Sequence, residues 1–167
     1  MRALPLIVLL APLAFAQKVT VEFDSTIDFS KYKTFLIRDG RLNSRNPALN
    51  SELVRKRLDS DIESALMTRG LVKSPTQRSD LNVRYTFGAV RKLETEAYPA
   101  GWYGFGTRIV RVPYAEGTLV IDLRDPTTRS LVWRGIAREE KSDPNKIEGK
   151  LEDMVRKSIE KYPPKPK

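Results

Sequence analysis

The 167-residue chain contains no cysteine and no histidine. Without cysteine no disulfide can form in any compartment, and there is no thiolate to act as nucleophile or metal ligand. Without histidine neither a Ser-His-Asp triad nor a Cys-His pair can be built. Zinc and copper lose their usual nitrogen and sulfur ligands. Acid–base chemistry near neutral pH would require a retuned carboxylate or lysine. Nucleotide signatures are missing as well. The glycine-dense stretch "GWYGFG" lacks the Lys-Ser/Thr ending of a phosphate-binding loop and does not follow the dinucleotide fingerprint. No metal and no cofactor are therefore expected. Carboxylate pairs remain to be considered. Asp59 and Glu63 have the spacing of ordinary helix-surface residues, and Asp125-Pro126 has a turn explanation. Glu94 and Glu96 precede the glycine-dense stretch, and a glycosidase-like pair would depend on a separation in space that sequence does not give. The chain is expected not to be an enzyme.

Long apolar runs are also scarce, and the one present stands at the start. Met1-Arg2 is a short positive opening, residues 4–13 are apolar apart from two prolines, and Ala14-Phe15-Ala16 is a small-x-small cleavage site. This three-part pattern reads as a secretory signal peptide, too short for a comfortable membrane span. No cysteine follows it, so lipid anchoring through a lipobox is not expected. The organisation read from the chain is a signal peptide over 1–16, one domain over 17–162 and a Pro/Lys-rich tail over 163–167. The mature protein is expected to be soluble, periplasmic or secreted, with no transmembrane helix.

What is abundant is positive charge. Thirty Lys and Arg face 21 Asp and Glu, a net +9 that falls by one when Arg2 leaves with residues 1–16. Such a chain associates with polyanions, and the same charge, spread along the sequence, also serves solubility alone. In an envelope compartment the candidate partners are an envelope protein or an anionic or sugar-rich envelope polymer. Nucleic acid fits that address poorly.

Periodicity gives the elements. Val19, Val21 and Phe23 alternate as a strand, as do Phe35 and Ile37. Residues 38–50, "RDGRLNSRNPALN", read as a polar loop. Asn50 is the expected cap of a helix whose stripe is Val54, Leu58, Ile62, Ala65 and Leu66, with Leu49 as its staple and Gly70 as its left-handed stop. Arg55, Lys56, Asp59 and Glu63 lie off the stripe, on a solvated face. Leu81, Val83, Tyr85, Phe87 and Ala89 alternate as a long half-buried strand, and residues 109–112 as a shorter one ended by Pro113. A hairpin follows. Leu119, Ile121 and Leu123 share a face with Leu131, Trp133 and Ala137, and Asp122 faces Arg134 on the other side. Trp133 is read as core. Asp143-Pro144 opens a final helix with Ile147, Leu151, Val155, Ser158 and Tyr162 inward. The order of elements predicts an α+β two-layer sandwich, its sheet antiparallel or mixed and both helices on one face.

Four segments carry a family likeness: "DFSKYKTF", "SDLNVRY", "EGTLVIDLRDPTTRSLVWRGIA" and a closing helix ending in "YPP". Together they resemble the domain-of-unknown-function family 4136 over about residues 19–164. The resemblance implies a bacterial envelope protein, often a lipoprotein, frequently with a Gly- and aromatic-rich loop before the hairpin. It implies no catalytic residue, because the family has no established activity. That loop is the candidate binding surface: Tyr98, Trp102, Tyr103 and Phe105 lie among glycines, with Arg108 and Arg111 following. Aromatic faces bind sugars, lipids or partner side chains. The same loop could equally fold over the sheet and bury its own rings.

Overall fold

The computed structural model describes residues 17–99, 107–141 and 143–164. Strands β1 (Lys18–Phe23), β2 (Thr34–Ser44), β3 (Val72–Lys73), β4 (Leu81–Pro99), β5 (Thr107–Arg124) and β6 (Leu131–Lys141) form one mixed sheet, in the order β1-β6-β5-β4-β2-β3. Helices α1 (Glu52–Thr68) and α2 (Leu151–Ile159) pack together on one face of it. The architecture is the α+β sandwich expected from the element order.

The core lies between the layers. Val54, Leu58, Ile62 and Leu66 of α1 meet Leu151, Met154, Val155 and Ile159 of α2, above Phe35, Val83, Tyr85, Phe87, Leu119, Ile121 and Leu123 of the sheet. Two sheet glycines make room for rings. A Cβ on Gly40 would fall 2.3 Å from the Tyr85 ring, and one on Gly135 would fall 2.5 Å from Cη2 of Trp133. Trp133 is fully buried and meets Tyr162 edge-on at 5.9 Å; Tyr162 in turn meets Phe29 at 5.8 Å. The "YPP" and "DFSKYKTF" segments are thus joined through one aromatic cluster.

Carboxylates fasten the segments that carry the family likeness. Asp28 accepts the Ser30 N–H and caps a short 3-10 turn. Asp80 accepts from Lys33 N–H, Thr34 N–H and the Thr34 hydroxyl at 2.9–3.0 Å, tying the start of β4 to the start of β2. Asp125 accepts the Thr127 and Thr128 amides and the Tyr32 hydroxyl. Arg134 grips Asp122 with two bonds of 2.6 and 2.8 Å, as the hairpin pattern predicts. Registers extend this pair into a row of alternating sign across the outer face of the sheet, Glu22–Arg134–Asp122–Arg84–Asp39.

Several expectations are corrected. The polar loop over 38–50 begins as strand: β2 continues to Ser44, because a bulge at Arg38 resets the register and Gly40 admits the Tyr85 ring. The α1 cap is Ser51, whose hydroxyl accepts the Val54 N–H, while Asn50 ends a preceding 3-10 turn. Asp59 and Glu63 are engaged, Asp59 by the Tyr85 hydroxyl at 2.6 Å and Glu63 by Lys73 at 2.6 Å. Leu131 is opposite Arg124, not on the Trp133 face, because a bulge at Val132 shifts the hairpin by one residue. The last helix starts later than Asp143 predicts: residues Pro144–Lys150 form a 3-10 segment, capped by Asp143, before α2. Finally, β5 runs unbroken through Pro113, and β4 runs ten residues past Ala89.

Candidate functional site

That last difference creates the most distinctive feature of the molecule. β4 and β5 pair along their whole length, to Pro99 opposite Thr107. Their neighbours stop sooner. β2 leaves β4 at Ser44 opposite Ala89, and β6 leaves β5 at Lys141 opposite Ala115. Beyond these points the hairpin continues as a two-stranded arm, residues 90–99 and 107–114, with no third strand on either edge among the described residues. At about 3.3 Å per residue it reaches about 30 Å beyond the three-stranded part of the sheet.

Pro113 is tolerated for the same reason. Proline cannot donate to a ladder on both sides and is confined to edges, and by residue 113 β5 has become an edge. The face of the arm continuous with the core carries the cross-strand pairs Leu93–Pro113, Thr95–Arg111 and Ala97–Ile109. Within the body this face is covered by the helices. On the arm it is open: Leu93 is 65% exposed and Ile109 69%. On the opposite face Val90 is exposed, and Lys92 bridges Glu116 at 2.7 Å, a contact that raises the Lys92 pKa. Isolated exposed apolar residues are ordinary, but a row of them on a projecting ribbon has the character of a contact surface.

A cleft of about 780 Å³ opens at the base of the arm, where β2 turns away from β4. Its lining includes buried Leu49 and Ala115 below, and Arg45, Asn46, Arg91 and Asn145 around. The amides and the single lining acid are occupied in holding turns. Asn46 accepts the Ala48 N–H and donates to Asn145, and Asp143 accepts the Asn145 N–H. Arg45 and Arg91 make no ion pair among the described residues. The cleft is therefore lined by two arginines and one carboxylate, Asp143, and keeps a net positive charge.

The predicted binding residues divide as follows. Tyr98 and Arg108 are paired in the β4–β5 ladder, and Arg111 is exposed opposite Thr95. Trp102, Tyr103 and Phe105 lie outside the described residues. The structure thus brings Tyr98, Arg108 and Arg111 onto one arm. Sequence reasoning missed Leu93, Ile109, Arg45 and Arg91. The available signal was symmetry: strand-like residues extend for similar lengths on either side of the glycines, as they do around a hairpin tip.

The remaining ionisable groups are structural in placement. Burial alone would raise the Asp125 carboxyl, but the Thr128 and Thr127 amides, Tyr32 and Lys31 together bring it below the usual range. The Lys33 amide chiefly lowers Asp80. Burial, assisted by Asp125, pushes the Tyr32 hydroxyl up to about 12. Asp61, between the helices, is raised by burial, with Arg57 opposing at 3.9 Å. Among the described residues no group of three or more acidic side chains is placed to hold a metal ion. No helix there is long and apolar enough to cross a membrane.

Comparison with known proteins gives a family and a fold. A family model described as "Domain of unknown function (DUF4136)" matches residues 19–164. No curated protein matches. Among solved structures, a PDZ domain protein from Parabacteroides distasonis is similar with a TM-score of 0.58 and 17% identity, over 89% of this chain and 35% of the other. This chain therefore spans about a third of that protein's length. A homologue of neuraminyllactose-binding hemagglutinin from Helicobacter pylori is similar with a TM-score of 0.52 and 12% identity, over 87% and 94% of the two chains. At these identities the likeness is one of fold.

Proposed function

The chain belongs to the family described as Domain of unknown function (DUF4136), and from that premise we propose that it is an exported, non-catalytic binding or assembly module of the bacterial envelope whose contact surface is the β4–β5 arm. The observation that carries this reading is the open arm face: the same stripe that is buried under the helices in the body continues outward with Leu93 and Ile109 more than half exposed. The three-part pattern of residues 1–16 supports export. The absence of histidine and cysteine from the sequence supports a binding role over catalysis.

A second reading, attachment to an anionic or sugar-rich polymer, is favoured by exposed Arg111 on the arm and exposed Arg91 at its base, with the aromatic sequence following β4 in the chain. Salt separates the two, since arginine-mediated polymer binding weakens steeply with ionic strength whereas an apolar protein contact does not. The test is to change Trp102 and Tyr103 to Ala, and separately Leu93 and Ile109 to Ser, and to compare melting temperature with crosslinked capture from the native envelope. The arm reading requires near-unchanged melting and reduced capture. Unchanged capture by both variants removes the arm from consideration; a large loss of melting temperature makes the changed residues packing.

A further inference from the structure

The cleft and the arm meet at one edge. β2 occupies the β4 edge as far as Ala89 and then departs through Arg45 and Asn46 into the Pro47–Leu49 turn. From residue 90 onward alternate residues of β4 direct their N–H and C=O groups towards the vacated position. An edge of this kind is a template for another strand. Native proteins blunt such edges with charged side chains, proline or a covering element; β4 carries Arg91, Lys92, Glu94 and Glu96 but no proline between residues 90 and 98, and no described element lies along that edge. The 780 Å³ cleft stands at the head of the vacated position, lined by Val90 and Arg91 of β4 itself.

Resting on the arm reading, we propose that the β4 edge beyond Ala89 receives an extended acidic peptide segment of a partner protein, which adds a strand where β2 has left and sets a carboxylate between Arg45 and Arg91. Three observations select this occupant. A row of main-chain donors and acceptors matches a peptide backbone and not a glycan or a lipid chain. The two guanidiniums in the cleft favour a carboxylate, which they bind through paired N–H donors. On the arm face, Leu93 and Ala97 of β4 supply positions against which alternate side chains of an added strand can rest. The basic tail of this chain, "KPK", carries the wrong charge for the cleft, and a second copy would bring the same net positive charge.

The experiment is selection of random nonapeptides displayed on phage against the purified protein. The best selected sequence is then synthesised and titrated by fluorescence anisotropy in its plain form and N-methylated at alternate residues. The proposal expects enrichment of Asp and Glu over the starting pool. It expects loss of binding on N-methylation and about a tenfold weaker affinity for the Arg45→Gln/Arg91→Gln variant, whose circular dichroism and melting temperature check its fold. It also expects the bound peptide to slow amide hydrogen exchange in residues 90–99 and leave 107–114 unchanged. Absence of acidic enrichment, equal binding by the N-methylated peptide, or protection confined to 107–114 overturns it. Polyphosphate of equal charge displacing the peptide at the same concentration also overturns it, in favour of a polymer site. In each of these cases an intact effect of the Leu93→Ser/Ile109→Ser variant on native capture leaves the arm reading standing without the strand-addition proposal.

Discussion

Replacing Trp133 tests the load placed on the hairpin. Its indole is fully buried, fills the space above Gly135 and stacks edge-on against Tyr162 at 5.9 Å. Trp133→Ala removes the whole ring from a site whose floor is a glycine and cannot collapse to fill it. Large aromatic-to-alanine changes in cores cost about 3–5 kcal/mol. One term acts in the other direction. The Trp133 indole N–H is buried with no hydrogen-bond partner among the described residues, and deleting an unsatisfied donor returns about 1–3 kcal/mol. The net expectation for alanine is therefore about 2 kcal/mol, the difference of the two midpoints. Trp133→Phe keeps a ring against Tyr162 and sheds the N–H, so it should cost less than half as much. Equilibrium unfolding in urea, followed by far-ultraviolet circular dichroism, measures both, with the slope confirming two-state behaviour. An alanine cost under about 1 kcal/mol at unchanged slope, or a phenylalanine cost equal to alanine, refutes the assignment of Trp133 as the packed centre of the hairpin.

Other outcomes follow from the same geometry. Asp80 and Asp125 have carboxyl pKa values held below the ordinary 3.8, so their stabilisation is present above about pH 4 and is lost as pH falls through the depressed folded values. Asp80→Asn and Asp125→Asn should each lower stability at neutral pH and flatten its decline below pH 4, and unfolding curves from pH 6 to pH 2 that keep their slope would contradict this. Tyr85→Phe removes the hydroxyl that donates to Asp59 at 2.6 Å. It should cost about 1–2 kcal/mol, with a coupling to Asp59→Asn measurable in a double-mutant cycle. Export predicts an intact mass beginning at Gln17, and a mass retaining residues 1–16 in the envelope fraction would exclude cleavage there.

The sequence by itself determined the two-layer arrangement, the α1 stripe, the Gly70 stop with its φ of +84°, the burial of Trp133 and the Asp122–Arg134 pair. Each of these follows from periodicity or from a residue's own backbone preference, which are local properties of the chain. Where an element ends was less legible. Asp39, Gly40 and Asn43 have the composition of a loop yet lie in β2, because a neighbouring strand and the Tyr85 ring decide their conformation. The bulge at Val132 turned Leu131 to the other face for a reason that only the β5–β6 register contains. The arm was hidden for a related reason. Leu93 and Ile109 stand sixteen residues apart in sequence but share one face of the ladder, Leu93 pairing with Pro113 and Ile109 with Ala97. Whether their face is covered depends on how far the helices and the flanking strands reach. Arg45 and Arg91 meet at one cleft because β2 stops beside Ala89. Side-chain alternation specifies that a strand has two faces; only the lengths of its neighbours, set in three dimensions, decide where one of those faces is left open.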